Sequence, residues 1–208
     1  LVTCESCTGG LLGAMVTAVA GSSAWYPGGW VTYENAAKRD RLGVPESLLA
    51  AHGAVSAEVA MAMAIGGLVR GAAHEALSIT GIAGPGGATP GKPVGTVWIG
   101  HASREGGGAD DEAAAAPVRV RARRFRFRGE RATVRDRSAT MALAMLRLSL
   151  DGHETWPPER TRVPLLWEEP RHTRRADRRA LAAVTPLLAA AATAPAARAG
   201  PAPAGDRP

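Results

Sequence analysis

The most constraining feature of the sequence is an alternation of two kinds of segment. Short apolar runs, typical of buried strands, alternate with stretches that have apolar residues at helical spacing. The first example occupies the start of the chain. Its predicted parts are a strand end at Leu1, Val2 and Thr3, a turn at Thr8, Gly9 and Gly10, and a helix with Leu11, Leu12, Met15, Val16 and Val19 on one face. Because the predicted strand is already present at the first residue, we expect the chain to begin inside a domain.

The same alternation of predicted strands and helices continues to about residue 150 and predicts an α/β fold. Further strands are predicted at 30–33, 76–80, 94–100 and 118–128. Further helices are predicted at 34–42, from Pro45 to a stop at Gly53, from a cap at Ser56, and at 132–150. A chain of 208 residues is long enough for one such domain with a full core and short for two.

The last predicted strand, VRVRARRFRFR at 118–128, alternates apolar residues with arginine. Val118, Val120 and Ala122 share one face of a regular strand, whereas Phe125 and Phe127 fall on the other. We therefore predict a β-bulge at residues 123 and 124, which would restore the phase and keep the arginines on one side.

The composition changes after residue 150. Residues 151–208 contain stretches such as WPPERTRVPLLWEEP and APAARAGPAPAGDRP, which offer little to build a core. We predict a domain at 1–150 and a disordered or loosely docked tail at 151–208.

The charge is unevenly distributed along the chain. Residues 1–103 contain 5 basic and 6 acidic side chains, and the remainder contains 20 basic and 13 acidic side chains. A basic half is typical of proteins that bind phosphate or nucleic acid, and also of solvated tails.

Several protein classes are disfavoured. No apolar run approaches the roughly 20 residues that cross a bilayer, and the start lacks the layout of a secretion signal, so we expect a cytoplasmic protein.

Cys4 and Cys7 form a C-x-x-C pair, but no second pair of Cys or His has the spacing of a structural zinc site. We interpret the cysteines as two buried thiols rather than a redox pair, and we expect neither a metal nor a cofactor.

Seven short motifs follow one another along the domain. They are ESCTGG, GSSAW, GGWVTYENAAK, LGVPESLLAAHGAVSAEVA, TGIAGP, KPVGTVW and GERATVR. In this order and spacing they resemble the CinA C-terminal domain family, which includes stand-alone nicotinamide-nucleotide amidohydrolases, and the resemblance covers residues 1–150. It implies a three-layer αβα sandwich with a mixed sheet, a homodimer, and metal-independent hydrolysis of the carboxamide of nicotinamide mononucleotide. Larger members carry a separate nucleotide-pyrophosphatase domain, and we expect the activity of that domain to be absent here.

Hydrolysis of a carboxamide needs a nucleophile, a proton acceptor, a proton donor for the departing ammonia, and donors for the oxyanion. The resemblance places the family's functional serine, tyrosine and lysine at Ser23, Tyr33 and Lys38, on a predicted loop, strand end and helix. If Lys38 is buried, its pKa falls, and the neutral amine can take the proton of Ser23 while Tyr33 relays it. Ser6 is the competing nucleophile.

The predicted substrate-binding residues lie in three of the motifs. In ESCTGG, Ser6 and Thr8 offer hydroxyls, and Gly9 lets the backbone approach a ligand closely. By resemblance, a second ligand loop begins with Thr80 and Gly81.

The third motif, GERATVR, supplies a predicted phosphate ligand. The resemblance assigns this role to Arg131, whose planar fork suits phosphate better than an ammonium does. Two positions depart from the family pattern: Gly86 follows Pro85 where an Asp is usual, and Glu130 also replaces an Asp.

Two other functions stay open. The departure at Gly86 would suit a non-catalytic remnant that binds nicotinamide mononucleotide without releasing ammonia. The nine arginines from Arg119 to Arg137 would suit a nucleic-acid surface, although only two aromatic residues are interleaved with them for base stacking. The sequence favours the hydrolase over both.

Overall fold

The computed structural model describes residues 1–104 and 118–152. Within these ranges the chain forms five strands, five α-helices and one short 3-10 turn at Ser22–Ala24. In chain order the elements are β1 (Val2–Glu5), α1 (Leu11–Thr17), β2 (Gly28–Val31), α2 (Asn35–Leu42), α3 (Glu46–His52), α4 (Ala57–Arg70), β3 (Glu75–Gly81), β4 (Thr96–Arg104), β5 (Val118–Arg126) and α5 (Arg131–Leu150).

The five strands form one mixed sheet in the order β2-β1-β3-β4-β5. β2 and β3 run parallel to β1, whereas β4 is antiparallel to β3 and β5 to β4. The predicted α/β class with a mixed sheet is confirmed. Parallel strands end at the same edge of a sheet, so the segments that follow β1, β2 and β3 meet there, which is where ligands bind in open α/β sheets.

Helices cover both faces of the sheet, which confirms the predicted three layers. On one face α4 packs together with α2 and α3 over an apolar cluster that includes Cys4, Val59 and Met63. On the other face α1 and α5 pack over a cluster that includes Cys7, Ile79 and Phe125. α4 starts where predicted, because the Ser56 hydroxyl accepts a hydrogen bond from the backbone N–H of Val59 at 3.3 Å.

The predicted bulge in β5 is wrong. β4 and β5 pair residue for residue from Thr96 with Arg126 to Arg104 with Val118. The change of phase instead reports which helix covers each part of the strand: Val118, Val120 and Ala122 pack towards α4, and Phe125 packs towards α5. In a regular strand the arginines therefore divide between the two faces, which corrects the expected one-sided arginine surface.

The two cysteines are buried free thiols, as the sequence analysis predicts. They belong to the clusters on opposite faces of the sheet, so the C-x-x-C spacing does not bring them together as a redox pair. Burial raises the pKa of Cys4, and it raises that of Cys7 to about 11. Both thiols are therefore protonated and weakly reactive at neutral pH.

α5 ends at Leu150, in agreement with the predicted closing helix. Of the predicted tail at 151–208, all but the first two residues lie outside the described residues. None of the helices in the described ranges is both long and apolar enough to cross a membrane.

Candidate active site

The centre of the candidate site is a contact between Lys38 of α2 and Ser6, the first residue after β1. Lys38 Nζ donates to Ser6 Oγ at 3.0 Å, to the carbonyl oxygen of Thr32 at 2.9 Å and to that of Tyr33 at 3.2 Å. The lysine is 1% exposed. Parallel pairing of β1 and β2 fixes this arrangement, because it places the carboxyl ends of both strands side by side, and α2 follows β2 along the chain.

Burial lowers the pKa of Lys38 to about 8, against a weaker opposing influence from Cys7. An amine with this pKa is present in both protonation states near neutral pH. Its neutral form can accept the proton of the Ser6 hydroxyl, and its charged form can return a proton to a leaving group. Ser6 and Lys38 together thus have the composition and distance of a nucleophile with its base.

Glu5 organises the turn that carries Ser6. Its carboxylate accepts three backbone hydrogen bonds, from Gly10 and Leu12 at 3.0 Å and from Gly13 at 2.8 Å. The carboxylate therefore satisfies N–H groups at the start of α1, a geometry in which a helix N-terminus favours negative charge. A carboxylate at this position could either bind the backbone or orient Lys38. In the structure Glu5 binds the backbone.

Thr8 and Gly9 form the outer part of the same turn. Gly9 has a φ of 59°, which favours glycine, and it leaves the backbone of the turn exposed. The Thr8 hydroxyl is buried and has no hydrogen-bond partner in the described residues. The carbonyl oxygen of Thr8 accepts from Arg135 Nη2 at 2.8 Å, which ties the turn to α5.

Arg131, at the start of α5, spans two segments of the site. Its Nη1 donates to the carbonyl oxygen of Gly84 at 2.8 Å, and its Nη2 donates to the Tyr33 hydroxyl at 2.8 Å. The structure therefore brings the predicted phosphate ligand and the predicted proton relay into direct contact. Sequence reasoning missed this contact, because no local pattern links positions 98 apart.

Thr80 and Gly81 lie at the end of β3, beside the same edge of the sheet. In the structure both residues contribute to the packing of the sheet against its neighbours. The Thr80 hydroxyl is buried and donates to the carbonyl oxygen of Ala54 at 2.8 Å. A side chain at Gly81 would collide with Val97 on the neighbouring strand. Their predicted role in substrate binding stays a prediction.

Ser23 is the predicted site residue that the structure places elsewhere. α1 carries the chain from the carboxyl end of β1 back to its amino end, where the charged amino group of Leu1 donates to the carbonyl oxygen of Trp25 at 2.9 Å. Leu1 and Ser6 are about 16 Å apart along an extended strand at roughly 3.3 Å per residue. Within one chain, Lys38 uses its three N–H donors on Ser6, Thr32 and Tyr33, so the expected pairing of Ser23 with Lys38 is not formed.

In the part of the chain that the structure describes, no group of three or more His, Cys, Asp or Glu side chains has the placement of a metal site. The carboxylate of the site, Glu5, is occupied by three backbone N–H groups, and the other polar side chains are hydroxyls, one amine and guanidinium groups.

The sequence profile of the CinA C-terminal domain matches residues 1–150. The chain belongs to the CinA C-terminal domain family. Its structure is similar to that of the competence damage-inducible protein A of Klebsiella pneumoniae, with 36% identity and a TM-score of 0.65 over 74% of this chain and 87% of that one. The competence/damage inducible protein CihA of Agrobacterium tumefaciens is also similar, with 42% identity and a TM-score of 0.64 over 72% of this chain and 84% of that one.

Two curated relatives show the range of CinA-family proteins. A putative competence-damage inducible protein of Symbiobacterium thermophilum is 50% identical over 155 residues, which are 74% of this chain and 35% of that protein. The nicotinamide-nucleotide amidohydrolase PncC of Escherichia coli is 53% identical over 108 residues, which are 52% of this chain and 66% of that protein. The chain thus spans about a third of the length of the longer relatives it matches.

Proposed function

We propose that this protein is a cytoplasmic, metal-independent amidohydrolase that converts nicotinamide mononucleotide and water to nicotinate mononucleotide and ammonia. The observation that carries the proposal is the 3.0 Å contact between the Ser6 hydroxyl and a buried lysine whose pKa is lowered to about 8. The similarity to proteins named nicotinamide-nucleotide amidohydrolase supports the choice of substrate.

In the proposed reaction the neutral amine of Lys38 accepts the proton of Ser6, and the serine oxygen attacks the carboxamide carbon. The tetrahedral intermediate collapses as its C–N bond breaks, and the leaving nitrogen takes a proton from the Lys38 ammonium and departs as ammonia. Water then attacks the resulting ester, giving its proton to Lys38, and the carboxylate product leaves as Ser6 regains its proton. Acid and base assistance of this kind is typically worth roughly 10² to 10⁴ in rate.

The substrate lies between this pair and α5 in the proposal. Arg131 binds the phosphate, since a guanidinium fork already held by Gly84 and Tyr33 is fixed in position. Tyr33 extends from the end of β2 with most of its surface exposed, and its hydroxyl, which accepts from Arg131, keeps its own proton to donate to a ligand or to relay. The turn formed by Ser6, Thr8 and Gly9 is one wall of the site, and Thr80 and Gly81 are beside it.

Ammonia release from nicotinamide mononucleotide tests the proposal, with nicotinate mononucleotide identified as the second product. We expect turnover by the parent protein, including in the presence of a chelator, and its loss in Lys38→Met. The chain offers a matched control in Lys92, its other lysine, which donates to the carbonyl oxygen of His52 at 2.9 Å. Lys92→Met should retain turnover. Binding of the nucleotide without ammonia release by the parent would instead identify a non-catalytic nucleotide-binding protein.

A further inference from the structure

We propose that the turn after β1 is the oxyanion site of this protein, in which Cys7 and Thr8 bind the carboxamide oxygen as it becomes negatively charged. The donors are the backbone N–H groups of both residues and the hydroxyl of Thr8. This role rests on the proposed function, and it supplies groups that the reaction needs and that the pair of Ser6 and Lys38 does not provide.

The reaction needs donors other than the lysine. Attack of Ser6 on the carboxamide carbon turns the carbonyl oxygen into an oxyanion, which is stabilised by preorganised hydrogen-bond donors. Lys38 is not available for that role, because its three N–H donors already have acceptors in Ser6, Thr32 and Tyr33. The donors must therefore come from the backbone or from other side chains close to the serine.

Most backbone N–H groups around the serine are already occupied. Ser6 donates to the carbonyl oxygen of Ile79 on β3 at 2.9 Å, and Gly9 donates to the carbonyl oxygen of Ser6 at 3.1 Å. The N–H groups of residues 10–13, where α1 begins, donate to the Glu5 carboxylate or to a carbonyl oxygen of the turn. The start of the helix is therefore used by the fold itself.

Cys7 and Thr8 are the exceptions. In the ranges that the structure describes, neither N–H donates to an oxygen, and the N–H of Cys7 has only its own thiol, a weak acceptor, beside it. The Thr8 hydroxyl also lacks a partner there. Cys7 is 6% exposed and Thr8 is 0% exposed. Buried donors without acceptors are rare and costly, so three of them at one turn indicate that a ligand brings the acceptor.

The turn holds these donors in place next to the nucleophile. They belong to the two residues directly after Ser6, and the hydrogen bond from Gly9 to Ser6 closes the turn around them. Gly9 has a φ of 59°, and successive N–H groups in a turn of this kind form a concave surface that binds anions. On the outer side, the carbonyl oxygen of Thr8 accepts from Arg135 Nη2 at 2.8 Å. The donors are thus fixed before the substrate binds, as stabilisation of an oxyanion requires.

Thr8→Val tests the hydroxyl, because valine removes it and keeps a side chain of similar shape. We expect kcat for nicotinamide mononucleotide to fall roughly 10²-fold or more with little change in KM, since the contact forms only in the transition state. Thr8→Ser keeps the hydroxyl and should restore most of the rate. Both variants should melt close to the parent, because neither removes a hydrogen bond of the fold.

Thr96→Val is the matched control for Thr8→Val. Thr96 is also buried and its hydroxyl also lacks a partner in the described residues, but it lies at the start of β4. We expect this variant to turn over like the parent. A parent-like kcat for Thr8→Val, or an equal loss of kcat in Thr96→Val, overturns the proposal.

Backbone amide resonances test the two N–H groups directly, in the full isotopically labelled chain. The probe is the nucleotide in which a carboxaldehyde replaces the carboxamide. The Ser6 oxygen bonds to the aldehyde carbon, the serine proton passes to Lys38, and the carbonyl π electrons become the oxyanion, so nothing leaves and the adduct persists. We expect the amide protons of Cys7 and Thr8 to shift downfield in the parent and to stay in place in Ser6→Ala. An adduct that leaves both resonances unmoved overturns the proposal.

Ammonia release and the adduct separate the oxyanion site from the proposed function. An isotopic label on the aldehyde carbon reports the adduct, because the trigonal carbon becomes tetrahedral. If the parent releases no ammonia but forms the adduct with both resonances shifted, the proposed function fails and the oxyanion site is supported. If the parent releases ammonia and the adduct leaves the resonances unmoved, the oxyanion site alone fails. A parent that neither releases ammonia nor forms the adduct overturns both.

Discussion

Lys38 Nζ and Ser6 Oγ lie 3.0 Å apart although 32 positions separate them in the chain. Their contact depends on parallel pairing of β1 with β2, which aligns Glu5 with Val31 and so brings the residues after each strand together. The same pairing supplies the carbonyl oxygens of Thr32 and Tyr33 that hold the lysine in place. The reactive pair is thus a product of sheet topology rather than of a local motif.

The pH dependence of turnover should follow the ionisation of Lys38. The lysine is the base only when neutral, so kcat/KM in the free enzyme should rise as pH increases through the pKa of about 8 and level off above it. The profile is measured by ammonia release across that range. Lys38→Arg should be inactive throughout, because a guanidinium does not lose its proton. A profile with no rise near that pH would contradict the assignment of Lys38 as the base.

Removing the Ser6 hydroxyl should abolish turnover. We expect Ser6→Ala to lower kcat by roughly 10⁴-fold or more, and Ser6→Ala with Lys38→Met to be no worse than either alone, because a nucleophile and its base act as a unit. Single-turnover and steady-state ammonia release measure both. Ser103→Ala, on β4, is the control and should match the parent. Parent-like turnover by Ser6→Ala would show that Ser6 is not the nucleophile.

The order of elements could be predicted from the sequence because it is encoded locally. The apolar spacing after Gly10, the cap at Ser56 and the run before Gly81 each indicate an element without knowledge of the rest of the chain. The β5 error arose because alternation in a strand reports which face is buried. Two helices cover opposite faces of β5 along its length, so a regular strand imitates the pattern of a bulge.

The site was only partly predictable, because its contacts join residues that are distant in the sequence. Lys38 and Ser6 were both identified as chemically capable, but which hydroxyl meets the amine depends on the end of the sheet at which each loop emerges. Ser23 is nearer to Lys38 in sequence, yet α1 returns the chain to the far end of β1 before Ser23 is reached. The contact of Arg131 with Tyr33 likewise follows from the packing of α5 over the sheet.

Replacing Glu5 by Gln should destabilise the fold. The carboxylate accepts three backbone N–H groups with its two oxygens, and the amide has only one oxygen, so Gly13 or both Gly10 and Leu12 would face an NH₂ donor. A buried donor without an acceptor costs about 1 to 3 kcal/mol in the free energy of unfolding, measured by denaturant titration. Glu46→Gln, at an exposed position, should change it by less than about 0.5 kcal/mol. Equal stability of Glu5→Gln and the parent would show that the turn does not depend on the carboxylate.

Arg131→Lys should separate phosphate binding from chemistry. A lysine at this position keeps the charge but loses the fork that contacts Gly84 and Tyr33 together, so the KM for nicotinamide mononucleotide should rise roughly tenfold or more while kcat changes less. Nicotinamide riboside lacks the phosphate, and its kcat/KM should be nearly the same for the variant and the parent. Arg137→Lys is the matched control, because Arg137 lies on the same helix and donates to the carbonyl oxygen of Arg128. An equal loss of kcat/KM for both substrates would show that Arg131 orders Tyr33 and the Gly84 loop rather than binding phosphate.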